Sequence, residues 1–224
     1  MGSECSSKSE TWGTVSMRQE RNTAIVLAAG QGKRMNSKIQ KQFLEVGGKP
    51  VLYYSLRCFQ DSPLIKEIIL VTAENMISFC REKIIDKYGF SKVSRVIPGG
   101  RERYDSVYAG LLACADSDYV LIHDGARPFI TEEILQRGME GVRETGACVV
   151  GMPSKDTVKL ADARGFVAET PDRKRVWTIQ TPQIFAYSLI RSSHESIRKK
   201  DMSQITDDAM VGGQETGAKI RLVE

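Results

Sequence analysis

From Thr23 onward, short apolar runs alternate with longer segments whose apolar residues recur three to four positions apart. The runs TAIVLAA (23–29), EIILVTA (67–73), KVSRVI (92–97), YVLIHD (119–124) and GACVVGM (146–152) have the length and composition of buried strands. Helical spacing predicts helices over 51–60, 75–87, 104–115 and 131–143, with Val107, Leu111 and Leu112 on a core-facing stripe. Strands and helices alternating in this way predict βα units on a mostly parallel sheet, a Rossmann-like α/β fold. The rhythm breaks after Met152. Residues 153–181 carry short alternating segments around a polar turn and then a basic cluster, which predicts a protruding β-arm. An arm with so little core of its own needs another surface, and a second subunit is the natural one. A helix at 187–199, a short one near 207–213 and a strand at 218–223 close the chain, with no internal repeat.

The 224 residues suffice for one α/β domain over 23–224. Hydrophobic residues at 41% and charged residues at 27% fit a globular chain, and a net charge of +4 is too small to argue for nucleic acid. Residues 1–22, rich in Ser, Glu and Arg, predict a disordered leader. Its first six residues, MGSECS, also fit the short pattern for N-myristoylation. The cysteines (Cys5, Cys58, Cys80, Cys114, Cys148) are odd in number and widely spaced, which suits a reducing, cytosolic compartment rather than a disulfide framework or a zinc site. No apolar run approaches the ~20 residues that span a bilayer.

Three loops carry candidate chemistry. After the first strand, Gly30 and Gly32 let backbone N–H groups approach anionic oxygens, and Lys33, Arg34, Lys38 and Lys41 supply charge. The spacing is neither the Walker loop nor the dinucleotide glycine fingerprint, and the alternative is a tight turn with solvated cations. RVIPGGRERYDSVYAGL (95–111) repeats the pattern, with Gly99, Gly100, Arg101 and Arg103 leading into a helix whose N-terminus offers free N–H groups. In LIHDGARPF (121–129), Asp124 ends an apolar strand where a lone carboxylate can hold Mg2+ beside substrate phosphates, and Arg127 adds an anion clamp. Asp124 could instead cap the next turn. His123 reads as a satisfied strand histidine.

Taken together, LAAGQGKRM, KQF, GGRERYDSV, HDGARPF, DTVK, TPDRKRVWTIQTPQ and TDDA occur in an order and at spacings that resemble the 2-C-methyl-D-erythritol 4-phosphate cytidylyltransferases, over essentially Thr23 to Glu224. The resemblance implies a three-layer nucleotidyltransferase fold and transfer of a cytidylyl group from CTP to methylerythritol phosphate with Mg2+ and no covalent enzyme intermediate. It further implies that Ala28, Ala29 and Gly30 line the nucleotide pocket and that Arg34 and Lys41 stabilise the attacked phosphorus. Gly100, Arg103 and Ser106 would hold cytosine, Asp124 the metal, and Arg127, Thr157 and Arg173 the polyol phosphate, with Thr181 and Thr206 as further contacts. A homodimer through the arm is implied, as is a cytoplasmic location, or a plastid one in a plant-like source.

Two departures accompany the resemblance. Arg101 stands where many members have Asp, and members usually continue past KIRLVE into an Asn-Ile-Lys segment and a closing helix. If the chain ends at Glu224, weaker substrate binding and a less stable domain are expected. The nearest rival function is ribitol-5-phosphate cytidylyl transfer on the same fold. From a different class, a non-catalytic nucleotide-binding module competes with both.

Overall fold

The computed structural model describes residues 19–30, 39–114, 116–198 and 207–224. The MGSECS pattern, most of the leader, Arg34 and Thr206 lie outside these residues. Of the residues at the N-terminal side that are described, Glu20 pairs with Arg143 at 2.7 Å, and the Arg21 backbone N–H donates to Asp118.

The chain begins with β1 (Asn22–Ala28), a small hairpin of β2 (Glu45–Val46) and β3 (Lys49–Pro50), helix α1 (Val51–Asp61) and β4 (Glu67–Thr72). Next come α2 (Ile77–Cys80), β5 (Val93–Pro98), α3 (Arg103–Ala113), β6 (Tyr119–Asp124), α4 (Glu132–Thr145) and β7 (Ala147–Pro153). The arm holds β8 (Leu160–Ala161) and β9 (Val167–Glu169). Then β10 (Trp177–Ala186), α5 (Tyr187–Ile197), α6 (Asp208–Thr216) and β11 (Arg221–Val223) complete the order. A seven-stranded sheet runs β11-β7-β10-β6-β1-β4-β5, and all its pairings are parallel except those that β10 makes with β6 and β7.

β1 is buried on both faces, as central parallel strands are. Its alternate residues feed two cores. Ala24, Val26 and Ala28 pack with Leu52, Leu56 and Phe59 of α1 and Leu135, Met139 and Val142 of α4. Ile25, on the opposite face, packs with Val107 and Leu111 of α3, Ile190 of α5 and Val211 of α6. The outcome is helices on either side of one sheet, a Rossmann-like three-layer fold. Helix ends follow local chemistry: the Thr131 hydroxyl accepts from Ile134 N–H at the start of α4, and Gly146 ends it at φ 77°, a left-handed conformation that glycine adopts without strain.

Two differences from the expected elements have physical causes. The helix expected at 75–87 is a 3-10 turn, one α turn and then a π-helical stretch, Arg81–Asp86, for which the apolar spacing carries no distinct signal. The final strand of the arm continues as β10 into the main sheet, so Thr181 and Gln183 are buried between β6 and β7. The ladder shifts register between Ile179 and Gln183, and Pro182, which has no N–H to donate, sits within that irregularity.

α3 lies so close to β1 that a Cβ on Gly110 would stand 2.5 Å from Ile25 Cγ2. On α4, a Cβ on Gly138 would meet only the end of the flexible Ile184 side chain. Alanine gains about 1 kcal/mol of helix propensity over glycine, whereas forced overpacking costs about 1–3 kcal/mol. Gly110→Ala is therefore expected to lower the urea midpoint and Gly138→Ala to leave it nearly unchanged. A Gly110→Ala protein more stable than the wild type would show that the α3 to β1 approach is not tight.

Candidate active site

β1 lies where the strand order turns, with β4 on one side and β6 on the other, and ligands of open α/β sheets bind beyond the carboxyl ends at such a point. The register sets Leu27 beside Asp124, and Gly125 N–H donates to Leu27 O at 2.8 Å, so the loops after β1 and β6 share one edge. The third loop joins them from β5. Gly99 N–H donates to Thr72 O at 2.8 Å, and a Cβ at Gly99 would stand 2.6 Å from Ala29 Cβ and 2.7 Å from Ser106 Oγ. Ala28, Ala29, Gly30, Gly100, Ser106 and Asp124 thus belong to one rim.

Ser106 holds the glycine loop in place. Its Oγ accepts from Gly100 N–H at 3.1 Å and donates to Glu102 O at 3.3 Å. A Cβ on Gly100 would run into Asp105. The free N–H groups expected at this helix end are partly used, because Glu102 and Asp105 form a reciprocal capping box.

Charge alternates through the site. Asp124 Oδ1 accepts from Arg103 Nε at 3.4 Å, and its Oδ2 from Arg127 Nε at 3.3 Å. Arg103 Nη1 donates to Asp208 Oδ2 at 2.6 Å, and the Asp208 side chain is 1% exposed. Behind Asp208 lies the buried His194, its Nε2 3.7 Å from Asp208 Oδ1 and its ring stacked on Tyr108. Burial pushes the Asp208 carboxyl up, but His194 and Arg103 outweigh it and hold the group below its ordinary range. For Arg103, burial acts against the charged form and the two aspartates more than offset it, so its pKa is raised.

The QTPQ and TDDA motifs are bound to this network. Asp207 caps α6 by accepting from Met210 N–H, and also accepts from Gln183 Nε2 at 3.1 Å. Gln183 Oε1 accepts from Ala209 N–H at 3.0 Å. Thr181 Oγ1 accepts from Asp124 N–H at 3.1 Å and lies 3.0 Å from His123 Nδ1. His123 Nε2 lies 3.2 Å from Arg127 O, which can only accept. The imidazole proton is therefore on Nε2, and the Thr181 hydroxyl donates to Nδ1. His123 is satisfied, as expected of a strand histidine, and it ties together two residues beside Asp124, Thr181 and Arg127. Burial lowers its pKa to about 4, so it is neutral near pH 7.

Lys41, exposed, opens a 3-10 turn, Lys41–Phe43. Thr157 and Arg173 stand exposed in the arm, and among the described residues no hydrogen bond or ion pair ties either of them to Asp124 or its arginines. Arg101 is exposed. Sequence reasoning missed Asp208, Gln183 and the orienting role of His123; only their presence in TDDA, QTPQ and HDGARPF marked them.

Among the described residues, no three His, Cys, Asp or Glu side chains gather as metal ligands. Asp124 is a lone, partly exposed carboxylate, which fits Mg2+ shared with phosphate oxygens rather than an all-protein cage.

This sheet, with its ligand rim at the switch point, is a Rossmann-like fold of the nucleotidyltransferase class. Residues 22–224 match the family model of 2-C-methyl-D-erythritol 4-phosphate cytidylyltransferase, and the chain belongs to that enzyme family. The 2-C-methyl-D-erythritol 4-phosphate cytidylyltransferase of Lachnoclostridium phytofermentans is 51% identical over 192 residues, 86% of this chain and 82% of the relative. That of Lachnospira eligens is 48% identical over 203 residues, covering 90% and 89%. The crystal structure of 4-diphosphocytidyl-2C-methyl-D-erythritol synthase from Anaerococcus prevotii matches with a TM-score of 0.81 at 32% identity, covering 92% of this chain and 87% of that one.

Between its ordinary 6.5 and about 4, His123 resists a proton that the unfolded chain accepts. Its contribution, about 3 kcal/mol, is complete above about pH 6.5 and is lost as pH falls toward about 4. Urea titrations across this range should show a shallower pH dependence for His123→Gln than for wild type. Parallel curves would mean that His123 is not held neutral.

Proposed function

We propose that the chain transfers the cytidylyl group of CTP to 2-C-methyl-D-erythritol 4-phosphate, giving 4-diphosphocytidyl-2-C-methyl-D-erythritol and pyrophosphate. The observation that carries this reading is the family match along the whole domain, on a fold whose three loops converge at one rim.

A phosphate oxygen of the polyol attacks the α-phosphorus of CTP. The new O–P bond forms as the bond to the pyrophosphate oxygen breaks, in line. The attacking monoester is already anionic near pH 7, so the protein's task is positioning and charge stabilisation. Ala28, Ala29 and Gly30 line the nucleotide pocket. Gly100, Arg103 and Ser106 hold the cytosine side, and Lys41 with Arg34 meets the charge that builds on the attacked phosphorus. Arg127 receives the polyol phosphate, joined by Thr157 and Arg173 from an arm. Thr181, its hydroxyl engaged, acts through the Asp124 backbone, and Thr206 completes the set. Mg2+ would be held by Asp124 and would neutralise triphosphate charge.

A homodimer through the arm is part of the proposal. β8 and β9 form a two-stranded ribbon, marginal by itself, and Leu160, Phe166 and Val167 are 47%, 66% and 63% exposed. Cys58, Cys80, Cys114 and Cys148 are free thiols, which suits a cytoplasmic setting.

Pyrophosphate release with CTP and Mg2+ tests the reaction, with methylerythritol phosphate and ribitol 5-phosphate offered in parallel. Higher kcat/KM with the first is expected. Lys41→Ala should lower kcat by about a hundredfold or more with the fold intact, as loss of a contact made in the transition state does. Preference for ribitol phosphate would overturn the substrate, and a near-normal kcat would remove Lys41 from the site. Sedimentation equilibrium should return twice the chain mass; a monomer at assay concentrations would refute the arm-mediated dimer.

A further inference from the structure

We infer that Gln42 is a positioning residue, which sets the orientation of the backbone from Ala28 to Gly30 and the place of Lys41 relative to it. The inference rests on the cytidylyl-transfer reading of the same site. In the sequence, Gln42 is only the spacer of KQF. In the structure it is 4% exposed, although it is a polar side chain next to a solvated lysine. A buried primary amide carries two N–H donors that must find acceptors.

Those donors are spent on the loop. Gln42 Nε2 lies 2.6 Å from Ala28 O and 3.2 Å from Gly30 O, with Gln40 Oε1 at 2.9 Å. Two of its three acceptors are backbone carbonyls of the stretch assigned to the nucleotide. In a planar trans peptide the C=O and N–H point in opposite directions. Holding Ala28 O toward Gln42 therefore turns the Ala29 N–H away from it. Ala29 is also the residue that closes against Gly99, so the anchored peptide is where the first and second loops meet.

The same side chain fixes Lys41. The turn containing both is closed by Phe43 N–H to Gln40 O at 2.9 Å and Leu44 N–H to Lys41 O at 3.2 Å. Phe43 is pinned edge-on to Phe79 with ring centroids 5.5 Å apart. With Phe43 holding one side of the turn and Gln42 the other, the Lys41 backbone has a set place relative to Ala28 and Gly30. A lysine on a flexible stem can stabilise a developing charge only from a fixed base. A purely structural glutamine would affect folding alone; a positioning one must affect the nucleotide in preference to the polyol.

The test compares wild type with Gln42→Met, similar in length and without donors, and Gln42→Glu, the same shape with lone pairs facing the carbonyls. KM for CTP, KM for methylerythritol phosphate, kcat and thermal unfolding are measured for each. In Gln42→Met, KM for CTP should rise about tenfold and kcat should fall, while KM for the polyol phosphate stays within about twofold. Gln42→Glu should be worse at about pH 8 and recover, relative to wild type, toward about pH 6, because a protonated carboxyl regains one O–H to donate to Ala28 O. Equal rises in both KM values, or a loss that tracks only the unfolded fraction, would overturn the inference. If Gln42→Met does not fold, Gln42→Glu decides, and absence of recovery on acidification overturns it. Wild type that fails to saturate with CTP would sink the cytidylyl-transfer reading and this inference with it; normal wild type with unaltered variants sinks this inference alone.

Discussion

The register of β1 between β4 and β6 is the constraint on which the rest depends. A one-residue slip would exchange the two faces of the strand, sending Ala24 and Val26 into the core that Ile25 now fills. Gly110 admits α3 only where Ile25 stands opposite, so α3 reads the same register as the sheet. That register places Leu27 beside Asp124 and Ala28 beside Thr72, which in turn stands beside Pro98, and the loops after β1, β6 and β5 leave the sheet along this edge. The site is thus an outcome of core packing before any polar contact is considered. Burial of a large apolar side chain is worth about 1.5–3 kcal/mol, and many such residues lie along β1, β4 and β6. A rim hydrogen bond contributes about 1 kcal/mol. The core decides where the rim is; the rim's own bonds decide how its groups point.

Much of this was legible. The continuous apolar runs predicted β1, β4, β5, β6 and β7 to within a residue or two, because buried parallel strands need little beyond such a run. β10 was not legible as a core strand. TPQIFA contains a proline and a glutamine, which argue against a central position, and only the ladder irregularity makes Pro182 acceptable there. Gln183 is buried because it bonds Asp207 and Ala209, partners that no local pattern announces. Asp208 was hidden for a similar reason: TDDA reads as a helix cap, and Asp207 is that cap, whereas Asp208 has its partner 105 residues away in Arg103. That Gly100, Ser106, Asp124 and Arg127 would gather at one edge was legible because loops after strands in an α/β sheet have one place to go.

Arg103 divides its charge between two aspartates, and the division is unequal. Asp208 is 1% exposed and 2.6 Å from Nη1; Asp124 is 35% exposed and 3.4 Å from Nε. Coulomb attraction strengthens as distance and dielectric fall, and exposed pairs contribute about 0–1 kcal/mol. Asp208 therefore anchors the guanidinium, with His194 behind it, and Asp124 is only loosely neutralised. Removing one partner of a buried pair leaves an uncompensated charge, which is why a fully buried Asp208 is tolerable only with Arg103 in place. The same inequality leaves the outer carboxylate oxygens of Asp124 free to exchange Arg103 and Arg127 for a stronger cation. A rim built this way keeps its arginine fixed by a partner that hardly meets solvent and keeps its outer carboxylate weakly held, an arrangement that suits the proposed binding of a charged nucleotide with its cation.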